Sequence, residues 1–445
     1  MPTTTPSLPF ELIEAIAGNI TGDNAASTTF RAMAEVCTTW ASTGQSRLFR
    51  TIRRRVSRIA RLVEVLYHDE GRRHIARVFG YTQTLWIWGH GAEDAQSAVE
   101  LIPMEIIPLL LSKLPNLRTL DLGRFPFRKA ALARRPPMIV DVLNDGSAIA
   151  EHHAARGHGQ FVLDRVRVDY TDYEESSFLH FVAFLNLFAE ISALEVCKAA
   201  FRDDFFGGEP RETIESVAAT RGAEVVSVGV TIRTLTLQDL EWITGDVAVL
   251  SLLVRNPSAV AALTSLRLTG MQSYQFAQFE VLCDLMPHLA CVLTELEFGI
   301  SEEAGTPRWP LKWDETVPRL SSVLSLQSLT LHIHAGDVWA TSMANNNRLW
   351  TRVVSLLTHL PPHVTHIHLV ISGRLQDFIT QFRACDLEGP GNRLLDDFLI
   401  GMERLQSVIV DMTFNSFNSV FVVDPQVMVQ QALRKTSLKG ILFIR

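Results

Sequence analysis

Cysteine is scarce: Cys37, Cys197, Cys283, Cys291 and Cys385 are the only five in 445 residues. Their number is odd, no two form a Cys-x-x-Cys pair, and each sits in an apolar context. They read as buried thiols in a reducing compartment, which excludes a disulfide framework. Long apolar runs are lacking too. The longest, around residues 106–111, falls far short of the roughly 20 residues that a membrane span needs. Residues 1–9 hold neither a basic cluster nor an apolar core, the marks of a signal peptide. The expectation is a soluble, intracellular protein, cytoplasmic or nuclear, that contacts no membrane.

Positive charge is also in deficit. The formal net charge of −7 argues against a general nucleic-acid binder, and no nucleic-acid partner is expected. The local exception is a basic run, Arg47, Arg50, Arg53, Arg54, Arg55, Arg58 and Arg61. It reads as a solvated helix face pairing with an acidic partner, an RNA or lipid contact being the sharper alternative.

Catalytic signatures are missing as well. The chain has no Gly-x-Ser-x-Gly elbow, no phosphate-cradling loop and no His-Glu-x-x-His. Cys283 and Cys291 fall eight apart on an apparent helix and read as two buried thiols. Glu302, Glu303, Asp396 and Asp397 occupy polar positions and receive no acid–base role. The reading is a non-catalytic protein without cofactor or metal. An enzyme hidden in the α/β region would need converging titratable groups, and the sequence offers no such set.

What is abundant is a phrase: an apolar residue, two others, Leu, one polar residue, Leu. Clear copies centre on Leu120, Leu235, Leu266, Leu296, Leu329 and Val408, and weaker ones on Leu85, Val166, Leu194, Ile367 and Ile441. From Leu235 onward the centres recur every 30 to 41 residues or so, a period that implies stacked repeats. Between them lie helix-like stretches at 104–114, 178–191, 274–289, 349–360, 394–405 and 426–435. Strand, helix and turn in rotation give parallel strands with helices packed behind them. Segments 124–160, 203–222 and 301–316 break the rhythm with Gly, Pro and Arg. The first of these is expected to be a long loop, partly disordered.

Alternation assigns the faces. The Leu positions point to the core, so the residues between them point outward. These are Trp86, Trp88, Asp121, Thr236, Gln238, Arg267, Thr269, Glu295, Glu297, Thr330, His332, His368 and Asp411. Solenoids bind extended partners on such faces, and exposed Trp and Arg are enriched at binding hot spots. The alternative for Trp86 and Trp88 is burial under helices or loops. The pairs His332/His334 and His366/His368 each share a strand face. Aligning Leu329 with Ile367 sets His332 opposite Val370, so the pairs are offset and read as exposed polar positions rather than a zinc site.

The N-terminus carries a second pattern. Pro9 suits a first helical turn and Glu11 its positive end. Leu12, Ile13 and Ile16 line one face. Phe30, Met33, Val36, Cys37 and Trp40 recur at three- and four-residue steps in a second helix that Ser27 and Thr28 can cap. So short a bundle leaves apolar side chains uncovered, as a docking surface does.

In order, Leu8-Pro9-x-Glu11, Val36-Cys37-x-x-Trp40 and Leu48-Phe49 resemble the F-box, over about a tenth of the chain. The polar stretch Thr21–Ala26 and the weak helix former Ala17-Gly18-Asn19 depart from that family's pattern. The later phrases resemble the irregular leucine-rich repeats found behind fungal F-boxes, with longer spacing and no Asn ladder. The resemblance implies an α/β protein: a helical F-box module over 1–66, then a curved leucine-rich-repeat-like solenoid over 67–445. Parallel strands would line its concave side, with helices outside. It implies the substrate-recognition subunit of a Skp–cullin–F-box ubiquitin ligase, acting in protein degradation. Leu8, Pro9, Leu12, Ile13, Ile16, Val36, Cys37, Trp40 and Leu48 would form or support the surface for the Skp adaptor. Trp86, Trp88, Asp121, Gln238, Arg267, Glu297, His332, His368 and Asp411 would meet an unidentified protein target. The alternative is a repeat scaffold whose F-box has decayed.

Overall fold

Leu, Ile and Val at alternate positions of a short segment can be buried only if that segment is a strand with one face covered, and the structure bears this out repeat by repeat. The computed structural model describes residues 12, 17, 23–36, 38–55, 58, 59, 62, 79–88, 106–123, 161–169, 178–197, 227–238, 243–269, 276–301, 320–335, 348–373, 375, 378, 379, 382, 391–414 and 424–445. Leu8, Pro9, Ile13, Ile16, Cys37, Cys385, Glu302, Glu303 and the segment 124–160 lie outside that set, as does the side chain of Val36. The protein is α/β, with twelve strands among the described residues, and the pairings between them are parallel. Its contacts divide it into two units, Met1–Ile191 and Ser192–Arg445. In each unit the order of strands across the sheet is their order along the chain.

In the first unit, helices α1 (Asp23–Val36) and α2 (Thr38–Leu48) pack against each other. Their core is Ala17, Phe30 and Met33, with Trp40 and Leu48 laid partly buried against it. Gly44 makes the close approach feasible, because a Cβ there would lie 2.7 Å from the Phe30 carbonyl oxygen and 2.9 Å from the Ala34 nitrogen. The sheet follows with β1 (Thr51–Arg55), β2 (Thr84–Trp88), β3 (Thr119–Gly123) and β4 (Phe161–Asp169). Helix α3 (Ile106–Lys113) precedes β3, and α4 (Phe178–Leu185) follows β4. Ile52, Leu85, Leu120 and Val166 stand in one row across the strands, and all four are buried. Burial of that row is essentially complete at Leu85, Leu120 and Val166. The middle of the basic run is a strand, not a helix face. Arg53, Arg54 and Arg55 form β1, because Thr51 and Ile52 pair with Thr84 and Leu85 and carry the three arginines into the parallel ladder.

Strand β5 (Phe188–Cys197) spans the division between the units. It corrects the helix expected over 178–191: α4 ends at Leu185, and Phe188 and Ile191 are buried strand positions. A run this rich in apolar residues satisfies both periods, and the strand wins where Ile191, Leu194 and Val196 find a buried face.

The second unit contains β6 (Thr231–Gln238), α5 (Ile243–Arg255), β7 (Ser265–Thr269), α6 (Phe276–Leu289), β8 (Glu295–Ser301) and β9 (Ser328–Ala335). It continues through α7 (Arg348–Leu357), β10 (His366–Gly373), α8 (Gly391–Gly401) and β11 (Ser407–Phe414), then α9 (Pro425–Ala432), α10 (Arg434–Leu438) and β12 (Leu442–Ile444). Leu235, Leu266, Leu296, Leu329, Ile367 and Val408 share one register row, and each is at most 1% exposed. When parallel strands follow chain order, right-handed crossovers keep the connecting helices on one face, leaving the other face open.

The missing Asn ladder has a substitute. Two residues before the buried row position of β7, β8 and β10, Thr264, Thr294 and Thr365 donate their hydroxyls to the carbonyls of Arg233, Thr264 and Gln327, the equivalent position one repeat earlier. Their backbone N–H groups donate to the same oxygens.

Candidate functional site

On the open face of the second unit the register places polar side chains in rows. Thr236, Arg267, Glu297, Thr330 and His368 form one row, and Gly299, His332 and Val370 belong to the next, which ends at Asp411. The pairing of His332 with Val370 is the expected one, so the two histidine pairs are offset. Each imidazole turns instead to a carboxylate on the neighbouring strand. His332 Nε2 lies 2.8 Å from Glu297 Oε1, and His368 Nε2 lies 2.7 Å from Asp411 Oδ2. An ionised carboxylate only accepts, so Nε2 carries the proton in both rings. Gly299, directly opposite His332, has no side chain to stand in the way of this diagonal reach.

Arg267 closes the strip at the other end. Its Nη2 is 3.2 Å from Glu295 Oε2, and its Nε is 3.9 Å from Glu297 Oε2. Ser265 donates its hydroxyl to the same Glu295 oxygen at 3.1 Å. The hydrogen bond from His332, together with the pull of His332, Arg267 and His368, outweighs partial burial and holds the Glu297 carboxyl below the usual glutamate range. His366 and His334 share hydrogen bonds with the hydroxyls of Ser407 and Ser372. Asp411 Oδ1 is shielded from solvent and has no hydrogen-bond partner among the described residues.

This strip can present alternating charge and hydrogen-bonding groups to a ligand lying across the strands. Among the described residues no cluster of three or more His, Cys, Asp and Glu side chains is arranged to hold a metal ion. Gln238 is exposed at the end of β6, where its side-chain oxygen faces Cys197 Sγ at 3.8 Å.

The remaining expected contacts sit in the first unit and are described on their own. Trp86 and Trp88 are half-buried on the open face of β2, their rings 5.6 Å apart and tilted. Arg53 lies over the Trp86 ring, 4.8 Å from its centroid. Asp121 follows Trp86 in that row, with Arg167 beyond it. Leu12 is half exposed.

Two expectations change. Cys291 is exposed in a turn after α6, not buried on it, while Cys283 is half-buried and Cys197 buried. Asp396 is no solvated carboxylate. It is buried and accepts the N–H groups of Lys435 and Thr436 and the Thr436 hydroxyl, so it caps α10 from α8. A cap supplied from another helix leaves no local sequence signal, unlike Asp424, which caps its own helix α9. Asp397 pairs with Lys435 at the surface.

The fold and this strip define a parallel α/β protein with a polar, partly charged open face. No protein-family model matches the chain, and no curated protein is similar to it. Among the described residues no helix is long and apolar enough to cross a membrane.

Proposed function

We propose that this chain is the substrate-recognition subunit of a Skp–cullin–F-box ubiquitin ligase. The N-terminal segment docks on the Skp adaptor, and the open face of the repeats holds a protein target. The observation that carries the reading is the ordered combination of Leu8-Pro9-x-Glu11, Val36-Cys37-x-x-Trp40 and Leu48-Phe49 ahead of a repeated parallel α/β array. Two further features support it. Leu12 stands half exposed while Trp40 and Leu48 brace the small helical core, a division between docking and support. The strip from Arg267 to Asp411 offers a receptor's mixture of donors and acceptors. On this reading the chain breaks no bond; it raises the target's effective concentration beside a remote active site.

The second reading is a repeat scaffold with a decayed F-box, favoured by the polar stretch at Thr21–Ala26. Co-purification with the Skp adaptor separates the two. Leu12→Asp changes an exposed side chain, so the fold should survive while adaptor recovery drops at least about tenfold. Unchanged recovery of Leu12→Asp and of Leu12→Asp/Val36→Asp would favour the scaffold.

A further inference from the structure

In the second unit the position two residues before the buried row holds Thr264, Thr294 and Thr365, which stitch successive repeats, and Arg233, Gln327 and Gln406 in the other strands. In the first unit the same position holds Arg50, Gln83, Arg118 and Asp164, none of them threonine. Only the backbone stitching is kept there: the N–H of Gln83 donates to the Arg50 carbonyl and that of Arg118 to the Gln83 carbonyl. Arg50, Gln83 and Arg118 gather around one hollow.

They line a cavity of about 580 Å³ with Arg47, which comes from the last turn of α2. Adjacent strands are about 4.8 Å apart, so Arg50 and Arg118 start roughly 10 Å from each other with Gln83 between them. That is a separation two guanidinium groups can close onto a single anion. Gln83 accepts from Arg50 Nε at 3.0 Å and so steers one of them. Neutral donors complete the lining, among them the hydroxyl of Tyr81 and the amide of Asn116. No described residue of the lining is a carboxylate. Among the described residues Arg118 has an acidic neighbour in Asp164 at 4.0 Å, with both side chains mostly exposed, which neutralises little. The α2 C-terminus opposes an anion with about half an elementary charge, against the full positive charges of Arg50 and Arg118.

We propose that this cavity binds a phosphate monoester. Planar guanidinium forks match phosphate oxygens in pairs, and a dianion satisfies several arginines where a carboxylate satisfies one. The volume exceeds what a phosphate group fills and leaves room for the organic group it esterifies. The proposal requires no ligase role.

Calorimetric titration of the full chain tests it, with O-phospho-L-serine, a phosphoserine peptide, the same peptide unphosphorylated, and a short single-stranded RNA. Saturable binding of a phosphorylated probe, absent for the unphosphorylated peptide, is expected. Arg50→Gln/Arg118→Gln and Arg118→Glu should each weaken it at least about tenfold. The Arg118 side chain is 68% exposed, so its reversal keeps the test open if the double variant fails to fold. Equal affinity for both phosphorylated probes assigns a small-molecule ligand; a peptide about tenfold tighter assigns a protein segment. Three results would overturn the proposal: no phosphorylated probe binding at millimolar concentration, binding that folded variants leave unchanged, or RNA binding more tightly through the same arginines.

Discussion

Glu297 is the residue on which the polar strip turns. It accepts from His332, lies within reach of Arg267, and its titration is shifted downwards. Its folded-state pKa lies below the unfolded one, so its ionised form stabilises the fold above about pH 4.5, and that contribution is lost as pH falls through the lowered folded value. Glu297→Gln should therefore lower stability by about 1 kcal/mol near neutrality, discounted for the partly exposed partners. The difference from the parent chain should shrink as pH drops from about 6 towards about 3. Urea unfolding across that range reads it directly. A difference that does not vary with pH would mean the carboxylate acts through packing rather than charge.

At the scale of the element, the pattern of buried Leu and the offset of the histidine pairs were legible because strand period and register follow from local alternation. Leu120, Leu266 and Leu329 are buried where the phrase places them. Three kinds of element were not legible. Strand β1 reads Thr-Ile-Arg-Arg-Arg and has one apolar residue, so only pairing with β2 reveals it. Helix α5 is buried at Val247, Ala248, Val249 and Leu250 in succession, and so shows no apolar stripe. The threonine stitching depends on contacts some 30 residues away, invisible until the repeats are superposed. Its contribution is measurable. Thr294→Val keeps the shape and β-branching and removes the hydroxyl bond to the Thr264 carbonyl. The expected loss is about 0.5–1 kcal/mol, seen as a lower urea midpoint at unchanged slope.

Within each unit the described strands hydrogen-bond to their neighbours in chain order, so each repeat meets chiefly the repeats before and after it. Stability in such a stack is a sum of repeat and nearest-neighbour contributions, and damage should stay near its source. Leu120 tests this, since it is fully buried at the centre of the Leu row in the first unit and lies far along the chain from β9–β11. Leu120→Ala removes a core side chain and should cost about 2–5 kcal/mol where the cavity forms. Hydrogen exchange followed by mass spectrometry should show protection falling across β2, β3 and β4, with β9, β10 and β11 close to the parent chain. Uniform loss of protection would instead make the 445 residues one cooperative unit. A substitution in one part would then alter every surface the chain presents, and the polar strip and the arginine cavity could no longer be varied independently. A graded response leaves the strip and the cavity separately adjustable.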